Sequence, residues 1–176
     1  MACVANPYYV TTPIYYASGE PHLGHAYTTV LTDLLARYYR QTGADVLFLT
    51  GTDEHGQKMQ EAAAERGMAP LEFADQMVER FKVAWEDLNI SNDRFIRTTE
   101  AEHVGVVTTI LERLWNKGQI YEDVYSGWYC VQDECYWTEK DVGTARLCPD
   151  CRRPVTHVEE MNYFFRMSEY QHRLIR

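Results

Sequence analysis

Apolar residues recur along this chain with two different periods, and the architecture changes where one gives way to the other. Tyr8-Tyr9-Val10-Thr11-Thr12 is aromatic and β-branched, the composition of a strand. From Leu23 the apolar positions Leu23, Tyr27, Val30, Leu31, Leu34, Leu35 and Tyr38 follow helical spacing, and Gly43 supplies the stop. Val46-Leu47-Phe48-Leu49 is a continuous apolar run of strand length, as expected of a strand buried on both faces of a parallel sheet. Strand, helix and strand at this spacing predict a βαβ unit. A helix is expected from Gln57 to Arg66, closed by Gly67, and another from Pro70, a residue suited to the first turn. Its stripe of Leu71, Ala74, Met77, Val78, Phe81, Trp85 and Leu88 reads as core packing. Phe95-Ile96 suggests a short strand, and Thr99 with Glu102 a capping box opening a helix to about Lys117, with Gly118 after it.

Near Gly118 the helical period is lost. From Ile120 to Phe165 short aromatic and β-branched runs alternate with turns, the pattern of a small, mainly β insertion. The expected organisation is an α/β unit over residues 1–118, an insertion over 119–166, and the start of a helix over 167–176. Ser168 and Gln171 form a weaker capping box for that last helix. It is still running at Arg176, which reads as a truncation.

With 176 residues the chain allows one ordinary domain, or one domain carrying a smaller insertion, and its 45% apolar content is enough for a packed core. No run reaches transmembrane length. The first six residues carry neither a basic residue nor an apolar h-region, so no signal or transit peptide is expected, and the reading is a cytoplasmic protein without a membrane partner. The net charge of −9 argues against a tight non-specific nucleic-acid binder. Of five cysteines, Cys3 stands alone, and the other four form Cys130-x4-Cys135-x12-Cys148-x2-Cys151. Without an export signal this suggests metal rather than disulfides. Thiolates at such spacing can close a tetrahedron around zinc, which would supply folding energy to an insertion with little core; reduced, unligated cysteines are the alternative.

Two loops carry the candidate chemistry. Pro13-Ile14-Tyr15-Tyr16-Ala17-Ser18-Gly19-Glu20-Pro21 follows the first strand and leads into His22-Leu23-Gly24-His25 at a helix start. First-turn N–H groups and the positive end of the helix dipole favour an anion there. Gly24 leaves room beside the backbone, and two imidazoles suit a triphosphate losing pyrophosphate. Taken alone, His22 and His25 read equally as surface or capping histidines. The second loop, Gly51-Thr52-Asp53-Glu54-His55-Gly56, follows the second strand. Both would lie at carboxyl ends of adjacent parallel strands, where open α/β sheets bind ligands.

Together the Thr11–Gly19 lead-in, the His22–His25 signature and the Gly51–Gly56 block resemble the methionyl-tRNA synthetases, class I enzymes, from about Tyr8 to the end of the chain. The resemblance implies a Rossmann-like fold, with residues 1–118 as the first half of a nucleotide-binding catalytic domain and 119–166 as a zinc-knuckle insertion. It implies activation of methionine by ATP with Mg2+ to methionyl-adenylate, then transfer to tRNA(Met). His22 and His25 become the catalytic phosphate-binding pair, with Gly24 beside the adenosine. Pro13, Ile14 and Tyr16 would line the methionine pocket, and Asp53 would pair with the substrate ammonium, with His55 as a further contact. Zinc-containing relatives usually carry Cys-x-x-Cys in the first half of the knuckle, which would place a ligand at Asp133, so either Cys135 reaches in, Asp133 ligates through oxygen, or the site is lost.

The Lys-Met-Ser-Lys-Ser-like loop, the second half of the nucleotide fold and a basic anticodon-binding region are absent from these 176 residues. The chain alone is therefore expected to turn over poorly. Two readings compete. A small nucleotidyltransferase would share the histidine signature without needing the cysteines or the Gly51–Gly56 block. A non-enzymatic zinc-knuckle RNA-binding module would need a basic stripe, whereas only Arg146, Arg152 and Arg153 gather near the knuckle.

Overall fold

The structure, a computed structural model, describes residues 6–175, so Cys3 lies outside the described residues. The chain forms two compact units, one up to Val107 and one from Thr108.

The first unit is built on four parallel strands: β1 (Pro7–Thr11), β2 (Tyr15–Tyr16), β3 (Asp45–Asp53) and β4 (Arg94–Arg97). All three others pair with β3. Leu49 is flanked by Thr11 and Arg94, and Thr52 by Tyr15 and Arg97. β1 and β2 are therefore two pieces of one course along the same side of β3, with β4 along the other. The interruption falls at Pro13, which has no N–H to donate. β3 is longer than its apolar run suggested, because Gly51, Thr52 and Asp53 are strand residues held between β2 and β4.

The helices are α1 (Leu23–Gln41), α2 (Gln57–Glu65), α3 (Pro70–Asp87) and α4 (Ala101–Asn116), and the division between the two units falls inside α4. On α3 the expected stripe is buried at Ala74, Met77, Val78, Phe81 and Trp85, while Leu71 and Leu88 at its ends are exposed; Phe73, outside that stripe, is buried as well. Phe73, Ala74 and Met77 pack with Met59 and Ala63 of α2 and with Ala17; Phe81 and Trp85 pack with Tyr15.

Two faces differ from their patterns. The buried face of α1 is Thr29, Thr32, Asp33 and Ala36, whereas its leucine and tyrosine stripe is open, with Leu23 at 84% and Leu34 at 62% exposure. Thr29 and Thr32 return their hydroxyls to carbonyls one turn back. Asp33 accepts the N–H and hydroxyl of Ser91 at 2.7 and 2.6 Å and the Arg37 Nε at 2.6 Å, which ties α1 to the segment before β4. On β3, Phe48, Thr50 and Thr52 are fully buried, but Leu47 is half-exposed, so the strand is covered on one face rather than two among the described residues.

The second unit is an antiparallel sheet of β5 (Ile120–Cys130), β6 (Cys135–Trp137) and β7 (Thr156–Phe165), in the order β6-β5-β7. Its core gathers Cys130, Val142, Cys148 and Val155, with Val142 on the one-turn helix α5 (Glu139–Val142). After β7 come a 3₁₀ turn, Met167–Tyr170, and the short helix α6 (Gln171–Leu174). Neither expected capping box at these later helices forms. Ser168 sits inside the 3₁₀ turn, and the hydroxyl of Thr99 donates to Glu54 while Glu102 pairs with Arg94. No helix of the described residues is long and apolar enough to cross a membrane.

Candidate active site and metal centre

The two signature stretches are brought together by backbone pairing. Tyr15 lies opposite Thr52 and Tyr16 opposite Asp53, and the Asp53 carbonyl accepts the N–H of Ala17 at 3.1 Å. Side chains alternate along this stretch. Tyr15 is buried, with its hydroxyl 2.8 Å from that of Thr29 and its ring 4.7 Å from His25, while Pro13, Ile14 and Tyr16 face outward.

His22 and His25 share the N-terminus of α1 in an unusual way. His22 is the N-cap, in extended conformation, and its Nδ1 accepts the N–H of Gly24 at 3.1 Å. His25 sits three residues on, and its Nδ1 accepts the N–H of His22 at 3.2 Å. This is a capping box in which both side chains are imidazoles. The rings stack with centroids 3.7 Å apart. Each Nδ1, being an acceptor, carries no proton, so each neutral ring keeps its proton on Nε2 as a donor. Burial and the adjacent His22 hold the His25 pKa below its ordinary value. No acidic residue occupies the first turn. A Cβ on Gly24 would lie 3.0 Å from the His22 ring, so the glycine makes room for the cap itself.

The buried carboxylate at the end of β3 is Glu54, not Asp53. The Glu54 carboxylate takes the Arg97 guanidinium two-pronged at 2.7 and 2.9 Å and accepts the hydroxyls of Thr52 and Thr99. Burial pushes its carboxyl up, but these bonds and the Arg97 charge more than offset that and hold it below the usual range. Arg97 also reaches Asp75 on α3 at 2.6 Å. Asp53, half-buried, has its Oδ1 3.5 Å from the His55 N–H. Thr98 Oγ1 accepts the Glu54 N–H at 3.0 Å and lies 3.1 Å from His55 Nδ1. None of Glu54, Arg97, Thr98 or Thr99 stood out as a site residue in the sequence. The signal available was an arginine and two threonines directly after the short Phe95-Ile96 run, where a strand ends beside the second loop.

In the second unit the ligand-type atoms of Cys130, Asp133, Cys148 and Cys151 lie within 4.8 Å of one another. Asp133 Oδ2 accepts the thiols of Cys148 at 3.0 Å and Cys130 at 3.4 Å, and the sulphurs of Cys130 and Cys151 are 3.5 Å apart. Zn–S bonds of about 2.3 Å in a tetrahedron put sulphurs roughly 3.8 Å apart, close to this spacing, so three thiolates and one carboxylate fit zinc. Cys135 stands outside this group. It lies opposite Cys130 in the β5–β6 pair and packs against the apolar cluster. Asp133 and Cys151 each stand three residues after a cysteine of the group, Cys130 and Cys148, and each is followed by a residue with a positive φ, Glu134 and Arg152. The hydrogen bond to Asp133 is the chief cause that pushes the Cys151 thiol up to about 12.

The profile of the tRNA synthetases class I (M) matches residues 8–163. The chain belongs to this class I synthetase family. Among the relatives of this class I synthetase chain, the methionine–tRNA ligase of Thermotoga maritima is 51% identical over 172 residues, covering 96% of the chain and 27% of that protein. The ligase of Clostridium tetani is 52% identical over 169 residues, covering 96% and 26%. The class I fold is also that of Mycobacterium tuberculosis methionyl-tRNA synthetase in complex with methionyl-adenylate, at a TM-score of 0.88 and 46% identity, over 97% of this chain and 34% of that one. The chain thus spans about a quarter to a third of the length of these relatives.

Proposed function

We propose that this chain carries the front half of the active site of a cytoplasmic methionine–tRNA ligase. Such an enzyme activates methionine with Mg2+-ATP and transfers the methionyl group to the 3′-terminal adenosine of tRNA(Met). The observation that carries the reading is the pairing of the Tyr15-Tyr16 lead-in with Thr52-Asp53, beside a helix end capped by two histidines. The resemblance to ligases over 96% of the chain supports it.

In the first step the methionine carboxylate attacks the α-phosphorus of ATP in line, an oxygen–phosphorus bond forms, and the bond to pyrophosphate breaks. Positioning and charge neutralisation do most of the work in such a transfer. The Nε2–H groups of His22 and His25 donate to phosphate oxygens, and the helix end adds its positive potential. Gly24 keeps the backbone low beside the adenosine. Pro13, Ile14 and Tyr16 offer apolar surface to the thioether, Asp53 binds the ammonium, and His55 stands next to it. The knuckle residues Cys130, Asp133, Cys148 and Cys151 hold a zinc ion whose role is structural, closing the turns of the second unit.

The test is pyrophosphate exchange into ATP by the protein at the full length its gene encodes. Exchange that requires methionine, and falls with His25→Ala and Asp53→Asn, supports the reading. Exchange indifferent to methionine would instead point to a small nucleotidyltransferase.

A further inference from the structure

We infer that Thr98 is a positioning residue for methionine binding, acting through Asp53 and His55. This rests on the proposed role of Asp53 and deepens it. The peptide unit joining Asp53 to Glu54 is held at both ends. Its carbonyl accepts the N–H of Ala17 at 3.1 Å, and its N–H donates to the Thr98 hydroxyl at 3.0 Å. Pinning both ends fixes the plane of that peptide and with it the ψ angle of Asp53, from which the carboxylate projects. The next side chain, Glu54, is drawn inward by Arg97, Thr99 and Thr52. The same Thr98 oxygen lies 3.1 Å from His55 Nδ1. A hydroxyl can accept the peptide N–H and still serve the imidazole, because it has one proton and two lone pairs. One side chain thus orients two neighbouring residues proposed to meet the substrate. Ile96, two residues earlier, fixes the approach from below: its carbonyl would lie 2.0 Å from a Cβ placed on Gly51.

The phosphate-binding end of the site has no such tie to Thr98, since His22 and His25 are held by their own helix. Loss of the hydroxyl should therefore separate the two substrates. The experiment measures KM for methionine, KM for ATP and kcat of pyrophosphate exchange in the protein at the full length its gene encodes. Thr98→Val keeps the shape and removes the hydroxyl, and Thr98→Ser keeps the hydroxyl. Thr98→Val is expected to raise the methionine KM about tenfold, the factor one lost hydrogen bond makes, with the ATP KM unchanged within about twofold. Thr98→Ser should restore the methionine KM. Thr98→Ala is run beside Thr98→Val with the same expectation, so that misfolding of one does not end the test. An unchanged methionine KM, equal rises for both substrates, or a serine variant as poor as the valine variant would overturn the proposal. Asp53→Asn separates the two levels: if it leaves the methionine KM unchanged, the reading of Asp53 fails; if it raises that KM while Thr98→Val does not, only the role of Thr98 fails.

Discussion

His22 and His25 each accept a backbone hydrogen bond at one helix end while their rings stack 3.7 Å apart. Each ring therefore has two occupations, with Nδ1 turned to the helix and Nε2 turned away.

These occupations can be separated by substitution. Asn is a good N-cap but cannot place a donor where Nε2 lies. His22→Asn is expected to keep the unfolding midpoint of the protein while reducing pyrophosphate exchange about a hundredfold, the usual loss for one donor at a developing charge. His22→Ala should lose both, with about 1 kcal/mol of stability gone with the cap. Urea unfolding and exchange assays on the two variants check this. Equal stability loss in both would mean that the asparagine fails to cap.

Protonation offers a second handle on the same device. The folded pKa of His25 lies below its ordinary value of 6.5, so folding favours the neutral ring. The sign follows: its contribution to stability is present above 6.5 and is lost as the pH falls through the folded pKa. The helix end should loosen on acidification, because a protonated Nδ1 no longer accepts the His22 N–H. A titration of the His25 ring by NMR should give a midpoint below 6.5, accompanied by faster exchange of the His22 amide. A midpoint above 6.5 would contradict the neutral, accepting ring.

Gly51 is fixed by the approach of β4. A methyl group there would meet the Ile96 carbonyl at 2.0 Å and its Cγ2 at 2.6 Å. Backbone cannot give way as a flexible side chain can, so Gly51→Ala is expected to cost roughly 3 kcal/mol or more. Thermal unfolding checks it. A shift of only a degree or two would show that β3 and β4 can part cheaply.

The knuckle predicts an order of metal affinity. Asp133→Cys replaces a hard oxygen by a soft thiolate and should tighten zinc about tenfold, while Asp133→Ala weakens it. Cys135→Ser should leave zinc bound, since Cys135 lies outside the donor group. Competition against a chromophoric chelator measures all three, and zinc loss in Cys135→Ser would reverse the assignment. Removing the metal with a chelator should unfold the second unit ahead of the first.

Much of this arrangement was readable from residue order alone. The βαβ start, the stripe of α3 and the change to β structure after Gly118 follow from side-chain periodicity, which is a local property. What periodicity does not encode is the neighbour. It marked an apolar face on α1 but not that Thr29, Thr32, Asp33 and Ala36 would be the face packed here. Strand alternation places the Glu54 side chain inside and leaves Asp53 half-buried, which is legible only once β3 is known to run through Asp53. Residue order left Cys135 and Asp133 both open as the fourth ligand, because it does not say which side chain the turn brings beside Cys130, Cys148 and Cys151; in the fold that side chain is Asp133. The grip of Thr98 on the second loop was invisible for the same reason: it joins residues 44 apart in sequence.

The open leucine and tyrosine face of α1 has a colloidal consequence. Leu23, Tyr27, Leu34 and Tyr38 all expose more than half of their surface along one helix. A continuous apolar strip of this kind is sticky in water. The net charge of −9 opposes association at low salt and is screened as salt rises. The 176-residue polypeptide should therefore self-associate in proportion to both its concentration and the ionic strength, and Leu34→Glu with Tyr38→Lys should keep it monomeric in sedimentation.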